Sequence, residues 1–185
     1  GAGCVHGLNP YYRSQDVQFD PSMLGQWRDE EEAAKNPTNS ATWTFTPAEG
    51  NGYELKITGF ENEKPMAMEY DVHLFRLEGH RFLDIYPSKA ETKKVNEPYS
   101  WLAFFRPSHT VIHLPTSGGQ LVLQILDPKE LEAYAEKHPR TVPFEKYEDR
   151  LLLTGSTGRL QQLLRESLRR TNWWGDGVKL SRFPK

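Results

Sequence analysis

The sequence predicts a mainly β protein: an antiparallel meander closed into a barrel, with two helices near the carboxyl terminus packed on its outside. Three observations carry that prediction. Apolar and polar residues alternate at period two through most of residues 41–126, as half-buried strands require. Glycine-rich turns such as Glu49-Gly50-Asn51-Gly52 and Glu78-Gly79 cut that stretch into short strands joined as hairpins. Helical periodicity enters only after residue 127. A meander of eight or more strands leaves two unpaired edges, and rolling into a barrel removes both. The chain has 185 residues, 37% of them hydrophobic and 12% aromatic, enough for one sizeable core. A net charge of -2 and a pI near 6.3 provide no global field for nucleic acid, so no nucleic-acid partner is expected. No apolar run approaches the roughly 18 residues of a membrane-spanning helix.

Residues 1–18, with Gly7, Pro10 and interspersed polar side chains, read as an amino-terminal tether ahead of a single domain over 19–185. Asp20-Pro21 is a capped turn, with the Asp side chain capping and proline at the first helical position. It delivers Gly25-Gln26-Trp27 into the first long strand. Asp29 to Asn39 is acidic and then rich in Asn and Pro, which predicts a loop. Trp43 and Phe45, then Tyr53, Leu55 and Ile57, alternate with polar residues across a hairpin. Met66 to Leu74 and Arg81 to Tyr86 form the next strand pair. Lys89 to Pro98 reads as a charged loop, and Tyr99 to Arg106, apolar on both faces, as a strand covered on both sides. His109 to Leu114 and Gln120 to Leu126 are further strands. Asp127-Pro128-Lys129-Glu130 opens a helix with an acidic cap and proline behind it. Val142 to Tyr147 and Arg150 to Leu153 are extended. Leu160, Leu163, Leu164 and Leu168 place a narrow apolar stripe on a second helix, and Val178 to Phe183 is the last strand.

Phe19-Asp20 followed by Gly25-Gln26-Trp27 resembles the amino-terminal signature of lipocalins, with one residue fewer between Phe-Asp and Gly. The resemblance implies an eight-stranded barrel in which a late arginine packs across the tryptophan. Arg182 is the first candidate for that arginine and Arg150 the second. Ala2-Gly3-Cys4 resembles the end of a bacterial lipobox, which implies lipidation of Cys4 and anchoring to a membrane of the cell envelope. Together the two features resemble uncharacterised bacterial lipoproteins with lipocalin-like domains.

Constellations for chemistry are sparse. His109 and His113 share a strand face but lie about 13 Å apart at roughly 3.3 Å per residue, too far for one ion. Asp71 and His73 are closer and would need His80 or Asp84 from the next strand as a third ligand. Gly155-Ser156-Thr157-Gly158 lacks nucleophile-elbow spacing and reads as a helix cap. Arg169, Arg170, Trp173, Trp174, Lys179 and Arg182 make a basic, aromatic stretch that stacks on bases or sugars, faces anionic lipid headgroups, or contributes tryptophans that plug the barrel's open end beside arginines on the helix's wet face. No motif calls for a cofactor or a metal. The expected site is the barrel interior, lined by Trp27, Trp43, Phe45, Tyr53, Tyr70 and Trp101. These rings either hold a small apolar ligand or fill the barrel themselves, leaving an envelope protein as the partner of the outer surface. A hydrolase is the third reading.

Overall fold

The protein is described by a computed structural model, which covers residues 5–36, 40–61, 63–95, 107–115, 119–147 and 150–183. Eight antiparallel strands close a barrel: β3 (Gly25–Asp29), β4 (Thr42–Pro47), β5 (Tyr53–Glu61), β6 (Lys64–Leu77), β7 (His80–Pro87), β8 (His109–Leu114), β9 (Leu121–Ile125) and β12 (Val178–Arg182). From β3 to β8 each strand pairs with its successor, and β12 pairs with both β3 and β9. Closure comes at β8–β9, where Ile112 opposes Ile125 and His113 opposes Gln124.

Four further strands lie outside the barrel. β1 (His6–Gly7) adds to the upper part of β8, opposite His109 and Thr110, and carries β11 (Arg150–Leu153) and β10 (Phe144–Tyr147) with it. β2 (Val17–Gln18) pairs with Leu74 and Phe75, beyond the reach of β5 along β6. The expected tether is therefore corrected for the described residues 5–18. Val5 and Tyr11 are buried, and the Tyr11 N–H donates to the Asp84 carboxylate at 2.8 Å. Scattered glycine, proline and polar residues concealed a segment whose partners lie more than fifty residues away.

Inward and outward faces of β6–β8 are both buried, so two cores result. One fills the barrel and includes Trp27, Phe45, Leu74 and Leu83. The other lies between the outer faces of β6–β8 (Phe75, Phe82, Val111) and two helices, α3 (Pro128–Lys137) and α4 (Thr157–Leu168). Asp127 caps α3 by accepting from Lys129 N and Glu130 N. Its apolar residues Leu131 and Ala135 are buried, as are Leu160, Leu163 and Leu164 of α4. The two late helices therefore pack where the periodicity placed them.

Two expected loops contain short helices. Asp29 accepts from Glu31 N and Glu32 N and starts α1 (Glu30–Lys35), so an acidic run that looked like solvated loop begins with a helix cap. α2 (Lys89–Val95) follows Pro87 within the charged stretch. Trp173 is buried beside Tyr134 in the outer core, and Trp174 lies against Phe82 and His113. Neither tryptophan plugs the barrel. The strand expected over 99–106 lies outside the described residues.

Candidate functional site: the barrel interior and its two ends

The floor is assembled from the capped turn. Asp20 accepts from Ser22 N at 2.9 Å and from Arg81 Nη1 at 2.9 Å, fixing the 3-10 turn Pro21–Met23 under the barrel. Trp27 is 2% exposed and its indole N–H donates to the Met23 carbonyl at 2.9 Å. The Arg182 guanidinium lies 4.8 Å from the Trp27 ring centre and donates to the carbonyls of Leu24 and Ser22. Cation–π attraction and two charge-assisted bonds thus hold the first and last barrel strands together. Gly25 has φ +113, which favours glycine, and a Cβ there would also crowd Arg182 Nη1 at 3.1 Å. Arg182 thus occupies the place expected of it; Arg150 is on β11, outside the barrel.

The lower part of the interior is filled. Phe45, Tyr53, Leu55, Val72, Leu74 and Leu83 are each 0–1% exposed, so their side chains are covered on all sides by other protein atoms. Phe45 meets Tyr53 edge-on at 6.2 Å, and Phe19 stacks on Tyr53 from outside at 5.0 Å. Burial pushes the Tyr53 hydroxyl up from its ordinary pKa, and that hydroxyl accepts from Asp20 N at 2.6 Å.

The opposite end differs. Inward positions there retain apolar surface in water: Met68 is 40% exposed, Ile125 39% and Val178 42%, with Trp43, Ile57 and Tyr70 half-buried beside the interior core. Register places Trp43 opposite Ile57 and Ile57 opposite Met68, so these side chains form a continuous apolar lip. Of the residues expected to line the interior, Trp43 and Tyr70 sit at this mouth. Trp27, Phe45 and Tyr53 belong to the packed floor, and Trp101 lies outside the described residues. Ile57, Met68, Ile125 and Val178 were missed as site residues. Strand alternation already faced Ile57 and Met68 inward, but their height in the barrel follows from register alone.

A groove of about 1130 Å3 lies elsewhere, on the outer face of β4–β6 at the start of α2. Its walls mix charged residues, including Glu54, Lys56, Glu69, Asp71 and His73, with apolar ones such as Pro47 and Leu55, and Lys56 and Glu69 pair at 3.6 Å.

Of the titratable groups singled out in the sequence, Asp71 and His73 line this groove. His73 stands opposite Asp84 in the ladder, and buried Asp84 holds His109 Nδ1 at 2.6 Å. Tyr12 stacks on His73 at 4.5 Å, and burial lowers the His73 pKa. Among the described residues, no three His, Cys, Asp or Glu side chains are arranged to hold a metal. His80 instead meets His113 at 3.2 Å, and His113 also bonds Gln124 at 2.8 Å. Burial lowers the His113 pKa. Ser156 occupies the N-cap position of α4, although its hydroxyl makes no capping bond.

Compared with known proteins, the chain matches no family model, no curated protein and no solved structure. The closed eight-stranded antiparallel barrel is compatible with a lipocalin-like fold.

Proposed function

We propose a non-enzymatic binding protein of the bacterial cell envelope that takes a small apolar ligand, or the apolar part of one, at the mouth of its barrel. The observation that supports this most is the lip formed by Trp43, Ile57, Met68, Ile125 and Val178, partly wet at one end of an otherwise packed interior. Exposed apolar surface arranged around an opening gains free energy when a ligand covers it, at about 25 cal/mol per Å2. The packed floor makes the site a shallow cup and the lower half a scaffold.

Titration with the neutral fluorophore N-phenyl-1-naphthylamine tests the reading. Saturable enhancement is expected, reduced at least fivefold in affinity by Met68→Glu and untouched by changes in the outer groove such as Lys56→Gln. Fluorescence that rises linearly, or that ignores Met68→Glu, would refute it.

The filled floor equally favours a second reading, an interaction module whose outer surface meets another envelope protein. Localisation rests on Cys4. Because Val5 is buried and His6 already lies in a strand, acyl chains on Cys4 would hold the folded body close to the bilayer with little slack. Fractionation of cells expressing the native gene and its Cys4→Ser variant tests this; membrane retention that survives the substitution would remove the anchor.

A further inference from the structure

A second cavity, of about 440 Å3, opens at the closed end of the barrel, far along the strands from the apolar mouth. It is lined by Ser22, Arg76, Arg81, Gln120 and Arg182, with the apolar side chains of Trp27 and Leu121. Arg76 and Arg81 stand directly opposite one another across β6–β7. Like charges so placed oppose strand pairing unless negative charge lies near them. Among the described residues, the carboxylate that touches this cluster is Asp20, 2.9 Å from Arg81. Glu78 of the adjoining turn pairs with Arg165 instead. Arg76 Nε donates to the neutral side chain of Gln18 at 3.2 Å, and Arg182 to two backbone carbonyls. Three guanidinium groups therefore face one carboxylate around a recess whose base is apolar.

We propose that this cavity binds a small free oxyanion of the phosphate class. The guanidinium fork matches oxygens of a tetrahedral anion, and an anion between Arg76 and Arg81 would neutralise the opposed pair. The volume is within the range of small-molecule sites. Arg81 is held by Asp20, which is itself fixed by Ser22 N, so one arm of the site is already oriented before any ligand arrives. Arg81 is recessed, its side chain 26% exposed, which suits a free anion better than a headgroup fixed in a bilayer.

The test is a titration of the 15N-labelled protein with inorganic phosphate at constant ionic strength, with chloride as the exchanged ion. Saturable shifts of the Gly79 and Gly119 amides and the Trp27 indole N–H are expected. Arg76→Gln should weaken the affinity roughly tenfold, the scale of one charge-assisted hydrogen bond. That variant leaves the Asp20–Arg81 bridge in place, and unchanged spectra of the outer core establish that it is folded. Shifts that grow linearly, an affinity unaltered by Arg76→Gln, or retention on phosphatidic acid vesicles that inorganic phosphate does not displace would each overturn the proposal.

Discussion

Replacing Phe45 with Ala measures whether the lower barrel is solid. Phe45 is 1% exposed, stands opposite Gly25 on one side and Leu55 on the other, and meets Tyr53 edge-on. Gly25 has no side chain to move into the space, and Leu55 and Tyr53 are fixed on a paired strand. The cavity should therefore remain largely open, which places the cost in the middle of the usual Phe-to-Ala range, about 4 kcal/mol. For a domain of this size that corresponds to a fall in Tm of about 8–16 °C. Urea unfolding followed by circular dichroism reads the free energy, and calorimetry the midpoint. Benzene should recover part of the loss by filling the dry cavity. A cost under about 1 kcal/mol would mean that Phe45 borders an existing chamber, and the description of a filled floor would fail.

Two other predictions concern the barrel seam and acid. Arg182→Ala removes the cation over Trp27 and both bonds to the turn carbonyls, and should destabilise by about 1–3 kcal/mol in the same unfolding assay. Arg182→Lys should not restore the loss, because a point charge cannot reach both carbonyls while stacking; full rescue by Lys would contradict the proposed geometry. Burial lowers the pKa of His6, His73 and His113 below 6.5. The unfolded chain then takes up protons before the folded one, so their contribution is complete above about pH 6.5 and is lost as pH falls through the folded values. Asp20, depressed chiefly by its hydrogen bond to Ser22 and further by Arg81, loses its contribution in a lower window, below the ordinary carboxylate range. Tm should hold steady above pH 7 and decline from about 6.5 downward, less steeply in His113→Gln. A Tm unchanged between pH 7 and 5 would argue against the histidine assignment.

The sequence alone determined the features that depend on neighbours along the chain. Period-two alternation placed the barrel strands, Asp20-Pro21 and Asp127-Pro128 marked a turn and a helix by their caps, and the leucine stripe of α4 identified its buried face. The likeness of Gly25-Gln26-Trp27 to the lipocalin signature implied a late arginine across the indole, and Arg182 makes that contact across 155 positions. Tertiary structure decided the rest. Tyr11 reaches Asp84, and His6 reaches Thr110, through bonds that local composition does not encode, so a folded segment resembled a tether. Charge composition hid α1 and α2, where the apolar stripe that would reveal a helix is short. Above all, alternation gives the direction of a side chain but not its height in the barrel. Phe45 and Trp43 are two residues apart on one face; register buries the first in the floor and leaves the second at the mouth. That difference arises from strand stagger, which exists only once the sheet has closed.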